Sequence, residues 1–398
     1  MSPANPYLAS PELAAVLDSK RTRSLIVGLI GIAACIAGYF TNREQFFHSY
    51  LVAYVFWMGL ALGGLVLAMM AHTTGGAWGV MIRRINEAAA AVMPLMFVAS
   101  LPLFFGMRDL YEWARPEVVA NDPILTDKLW YLNFPHFYIR QAADALVWLG
   151  MAFALRYLST RQDKEGAMPF YVTMQRISSI GLVIYVLSVT FWAIDWVMSL
   201  DPHWYSTIYG LLFVGGQGFS SFAFSIYVLI LLAQYAPMRD AVTSKHLHDL
   251  GKLQFAFVML WAYFNFSQYI IIWSANLPEE NPWYLTRMQG GWQYVSIVMI
   301  LFHFALPFML LLSRDIKKNP NRMKPVVLFL MFIQLVDVFW LAAPSHMQKL
   351  TLHWLDIAAP VALGGLWLWN FYGNLKQRPL LPLNEPHLQE ALQHGRHH

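Results

Sequence analysis

The stretch Phe47–Ala71, FHSYLVAYVFWMGLALGGLVLAMMA, contains no Asp, Glu, Lys or Arg. A helix needs roughly 20 mainly apolar residues to cross about 30 Å of hydrocarbon, so this stretch is long enough to span a bilayer. Runs of the same kind lie on either side of it, at Ser24–Phe40, Ala88–Met107 and His136–Tyr157. They continue at Ile177–Leu200, Thr207–Tyr235, Leu253–Ala275, Trp292–Leu312, Val326–Ala343 and His353–Tyr372. Ten spans are predicted. The composition agrees, with 58% hydrophobic and 13% charged residues where soluble chains carry roughly 25% charged. The fold class is all-α, a polytopic membrane protein.

Charge then sets the orientation. Lys and Arg concentrate in cytoplasmic loops, and twenty of the 27 basic residues fall in alternate connections with both ends, against six in the other connections and Arg140 inside a span. Both termini are therefore expected in the cytoplasm, with the multi-pass chain in a bacterial inner membrane. The net charge of +4 is accounted for by this topology, so no nucleic-acid partner is expected and lipids are. The first 23 residues are polar, with Pro3, Pro6 and Pro11, and lack the apolar core of a cleaved signal, so the first span is expected to persist. Cys35 is the one cysteine. It leaves no internal disulfide, no haem-attachment motif and no thiolate cage for a cluster, which puts any redox centre in a partner.

A weak internal repeat divides the chain. Asp195 is followed by Pro202 and His203, and Asp337 by Pro344 and His346, each Pro seven residues after its Asp. The predicted organisation is a cytoplasmic segment 1–23, a first helix 24–40, four-helix bundles 45–200 and 204–345, a tenth helix 353–372 and a cytoplasmic tail 373–398. The histidines of that tail, His394, His397 and His398, read as part of a mobile polar end in preference to an adventitious metal site.

Charged groups inside spans are costly and often mark function. His136, Arg140 and Asp144 recur every four residues and share one helical face. They read either as an Arg–Asp pair that locks packing or as the lining of an outward cavity that binds a polar head group or passes protons. Asp195 and Asp337 have no charged neighbour in sequence. They read as proton-exchanging groups, or as carboxyls that cap a neighbouring helix or bond Tyr or Trp, with Asp201 and His203 able to hand protons from Asp195 to outer water. His303 is the deep candidate, as a relay or as a core histidine held by Ser or Tyr. His48, His353 and Asp356 also fall near outer ends. Gly215-Gly216-Gln217-Gly218 has neither the Lys nor the preceding strand of a phosphate loop, and no catalytic constellation or metal cage is expected.

The twenty residues Phe191–Gly210, FWAIDWVMSLDPHWYSTIYG, resemble the F-type membrane subunits of bacterial alternative complex III, within the broad NrfD-like (polysulfide reductase membrane subunit) family. The similarity extends over the whole chain in length and ten-span layout. It implies a membrane subunit, without a redox centre of its own, in a complex that passes electrons from quinol to a periplasmic cytochrome c or similar acceptor. The implied partners are multihaem cytochrome c and iron–sulfur subunits, a paralogous NrfD-like C subunit regarded as the main quinol site, and other small membrane subunits. Menaquinol or another quinol would bind nearby, and the F-type subunit would act as scaffold, proton-translocation path or quinone-proximal element. A different class stays open from the residues alone, an independent proton-coupled secondary transporter.

Overall fold

The computed structural model describes residues 7–166 and 168–394. Pro3, Pro6, Arg396, His397 and His398 lie outside the described residues. The helices are α1 (Pro11–Thr41), α2 (Arg43–Thr74), α3 (Ala77–Phe105), α4 (Phe134–Glu165), α5 (Met168–Leu200), α6 (Tyr209–Leu232), α7 (Ser244–Ala275), α8 (Trp292–Leu312) and α9 (Pro320–Ser345). A tenth, α10 (Leu355–Lys376), follows, and a short α11 (Leu388–Gln393) closes the described chain. No strand occurs among the described residues. The protein is an all-α polytopic membrane protein.

Nine helices among the described residues, α1 to α9, are long and apolar enough to cross a membrane, where ten were expected. The remaining segment forms α10, a 22-residue helix. Its Trp, Asn, Gly and Tyr residues dilute its apolar character, which accounts for the shortfall.

Local signals set the helix ends. The Ser10 side chain accepts from Leu13 N with Pro11 behind it, Asn42 accepts from Gln45 N, and Asn133 accepts from His136 N with Pro135 in the first turn. These are helix N-caps that satisfy otherwise orphaned amides. α4 ends on Gly166 at φ 66, the left-handed stop that glycine adopts without strain.

α2 and α6 form the centre. In α2, 94% of the apolar window is buried, against 22% in α1, α4, α7 and α8. α3, α5, α9 and α10 pack against this central pair, and α1 lies against α10. The α1–α10 crossing is close because both helices present small residues: a Cβ on Gly31 would sit 2.6 Å from Ala362 Cα. Small residues at crossings are the usual means of dense packing between membrane helices.

Two helices are irregular. α3 breaks after Ala90 and resumes at Met93, beside Pro94. In α8, residues Met299–Ala305 form a π-helical segment that carries His303. Such segments widen a helix by one residue and recur at functional sites.

The C-terminal segment is packed, which corrects the expectation of a mobile tail as far as His394. Leu380 and Leu381 are buried, Leu380 N donates to Tyr7 O at 2.8 Å, and His394 Nε2 meets Asp249 Oδ2 at 2.7 Å. The apolar spacing Leu380, Leu381, Leu388, Ala391 gives this segment enough buried surface to settle on the helix ends.

Candidate functional site

Two polar groups lie toward the end of the bundle opposite the termini, one on each of α5 and α9. In the first, Asp195 is fully buried and takes the fork of Arg140. Arg140 Nε lies 3.1 Å from Oδ1 and 2.8 Å from Oδ2, and Nη2 lies 2.8 Å from Oδ1. Arg140 also donates to Tyr131 O at 3.1 Å and stacks 3.8 Å over the Tyr131 ring. Gln141 Nε2 adds a contact to Asp195 Oδ2 at 3.3 Å, and Trp196 Nε1 donates to Gln141 Oε1 at 2.6 Å.

This changes the pairing expected on α4. Arg140 meets Asp195 of α5 and not Asp144, because helical side chains lean toward the N-terminus of their helix, which carries the guanidinium toward Tyr131. Asp144 is left buried, and its Oδ2 finds no hydrogen-bond partner among the described residues. His136 does not join the group. It is exposed, and its Nδ1 accepts from Asn133 Nδ2 at 2.7 Å.

Beside Gln141 lies a cavity of about 430 Å³ between α3 and α4. Its rim residues Leu101, Phe105 and Tyr138 are exposed, and its inner wall carries Tyr54, Ser100 and Gln141. Asp144 lies three residues beyond Gln141, on the same face of α4.

In the second group, Asp337 Oδ2 accepts from Trp261 Nε1 at 3.1 Å and from Gln334 Nε2 at 3.0 Å. Gln334 Oε1 in turn meets His303 Nε2 at 3.1 Å. The His303 ring is stacked between Trp261 at 3.8 Å and Phe219 at 4.3 Å. His303 and Asp337, read separately in the sequence, thus share one network, and the partner of His303 is Gln334 where Ser or Tyr was expected. The bond to Trp261 is one of the arrangements expected for Asp337.

The loops over these groups close both helix ends with a cation. Lys128 Nζ donates to Pro202 O at 2.5 Å beyond α5. Arg287 donates to Trp340 O and Leu341 O at the end of α9, at 3.2 and 2.8 Å, and lies 3.5 Å over the Trp283 ring. Burial pushes the Arg287 guanidinium down to about 10 and lowers Lys128 as well. Asp201 is half-buried, and its carboxyl is pushed up by burial against the pull of Arg287, His203 and Lys128. His203 turns outward to Asp122, Nε2 to Oδ2 at 2.5 Å, and that bond holds Asp122 below the usual carboxylate range. No hydrogen bond links Asp201 or His203 side chains to the Asp195 carboxyl among the described residues, so the expected hand-on from Asp195 is not formed here.

Of the other outer-end candidates, His48 and His346 stack face to face at 3.5 Å. Asp356 accepts from Ser49 at 2.5 Å and from His353 N at 2.9 Å, tying α10 to α2.

Sequence reading missed three things. His72, buried near the termini end, holds Ser178 at 3.0 Å; a lone His late in an apolar run was its signal. The amides Gln141 and Gln334 carry no charge to mark them, and Gln217 stands out in the sequence only as part of a glycine-rich stretch. Arg83 and Arg84, counted as loop residues, are buried within α3. They form a network with Glu87, Asp163, Glu385 and Arg378, and the spacing of Glu87 three and four residues after them was the legible sign. No family model and no curated protein matches this chain.

Proposed function

We propose that this chain is a membrane subunit of a quinol-oxidising electron-transfer complex of the alternative complex III type, serving as scaffold and quinone-proximal proton acceptor. The redox centres belong to multihaem cytochrome and iron–sulfur partners. The observation that carries the reading is the cavity between α3 and α4. Its aromatic walls and exposed rim suit an amphipathic ring entering from lipid. Its inner wall carries polar Gln141, beside the unpartnered Asp144 and the Arg140–Asp195 pair. A carboxyl in that position can take a proton released when a quinol is oxidised. The Lys and Arg bias supports a periplasmic position for this end of the bundle, where such protons would leave.

Mild-detergent purification through a tag on this chain tests the assignment. Co-isolation with c-type haem and iron–sulfur polypeptides, and quinol oxidation that falls in Asp144→Asn, is the expected result. A solitary stable protein that moves a solute with protons would replace it with the transporter reading.

A further inference from the structure

Between α6 and α9, beside α2, lies a small cavity of about 20 Å³ whose polar wall is made by Gln217, Ser220, Gln334 and Asp337. Two atoms of that wall are buried without a hydrogen-bond partner among the described residues, Gln217 Nε2 and Asp337 Oδ1. Their partners elsewhere fix what each can offer. The Tyr185 hydroxyl donates to Gln217 Oε1, so the amide presents N–H groups at its other corner. Trp261 and Gln334 both donate to Asp337 Oδ2, which leaves Oδ1 of the ionised carboxylate as an acceptor. Ser220 Oγ is engaged with Gly216 O at 2.9 Å.

A donor and an acceptor therefore line one cavity, and roughly 10–15 Å³ is enough to hold a water. A metal cation does not fit a wall that presents an amide N–H, and an apolar filler would leave both atoms unsatisfied. The cavity exists because α6 presents Gly216, where a Cβ would sit 2.7 Å from Gln334 Nε2.

We propose that this cavity binds one water molecule, which accepts from Gln217 Nε2 and donates to Asp337 Oδ1. The water joins Tyr185 and Gln217 on α5 and α6 to Asp337, Gln334 and His303 on α9 and α8. It makes one hydrogen-bonded chain across the two halves of the molecule. The inference does not rest on the quinol-oxidising reading, since the orphaned atoms are internal to this chain.

The test combines density maps and infrared spectra of the full chain with the partners it retains on purification. The expected map has a compact peak within hydrogen-bonding distance of both Gln217 Nε2 and Asp337 Oδ1. The carboxyl band identified by its loss in Asp337→Asn should shift in Gln217→Leu. Tyr185→Phe keeps the ring and removes only the hydroxyl that orients Gln217, so the same band should shift there too, by less. Direct contact of Gln217 with Asp337, a peak coordinated by oxygens alone at cation distances, or a band unmoved in both variants would overturn the proposal.

Discussion

Arg140 and Asp144 stand four residues apart on one helix face, yet the guanidinium is engaged elsewhere, and the two aspartates of this group therefore differ in kind. Asp195→Asn strips a buried partner from Arg140. Removing one member of a buried pair costs about 3–5 kcal/mol, reduced here because the Arg140 side chain keeps 20% of its surface. A loss of roughly 2–3 kcal/mol is expected, read as an earlier thermal unfolding in detergent. Asp144→Asn removes a carboxyl with an unpartnered oxygen and breaks no side-chain hydrogen bond among the described residues, so it should destabilise less than Asp195→Asn, while proton-linked turnover of the assembled complex falls. Equal destabilisation by the two variants would contradict this division. The one-dimensional spacing made the α4 face legible. It could not show that α5 supplies the partner, because that depends on which helices are neighbours.

His346 supplies a pH dependence at the same scale. Burial pushes its imidazole from 6.5 down to about 4, with His48 stacked on its face. Between those values the unfolded chain binds the proton and the folded chain does not, so stability rises with pH there. The contribution is complete above about pH 6.5 and drains away as pH falls toward 4. His346→Gln should flatten the stability profile across that window, measured by unfolding at a series of pH values. An unchanged slope would show that the histidine is protonated alike in both states.

Among elements, the C-terminal segment and the π-helical stretch of α8 are the two that sequence pattern conceals. Helical periodicity predicts a continuous α8, and one extra residue per turn leaves no compositional mark; only the stack of His303 between Trp261 and Phe219 shows what the segment places. The C-terminal segment reads as polar because its buried positions are few and spaced among Pro, Asn and Glu. Its hold on the bundle is specific: Arg378 meets Glu87 at 2.7 Å and Asp163 at 3.0 Å, and Glu385 meets Arg83. Limited proteolysis of the detergent-solubilised protein should spare residues 378–394, and Glu385→Ala, which orphans part of Arg83, should expose them to cleavage. Rapid cleavage within this stretch in the unaltered protein would count against a docked tail.

At the scale of the whole molecule, fold class and most helix positions were legible, because hydrophobic length is a local property and the bilayer demands it. The candidate site was legible in part. Its charged members were visible, whereas its neutral amides and their partners depend on tertiary packing. The orientation is open to direct test: a reporter inserted after Asp122 should read as periplasmic and one after Lys318 as cytoplasmic. Reversed signals would invert the assignment of sides and with it the proposed direction of proton release.

The buried network at the termini end also constrains how the chain is made. α3 emerges from the ribosome with Arg83, Arg84 and Glu87, one positive charge in excess, inside a segment bound for the bilayer, where unpaired charge is costly. Asp163, which cancels that excess through Arg84, arrives only with the end of α4. Pairing of Arg84 with Asp163 therefore favours entry of the third and fourth helices together, as a hairpin. Arg378 and Glu385 come more than two hundred residues afterwards, as a neutral pair that closes an arrangement already balanced. Translation order and charge order coincide, so a nascent chain halted between α3 and α4 carries the unpaired charge that the next helix cancels.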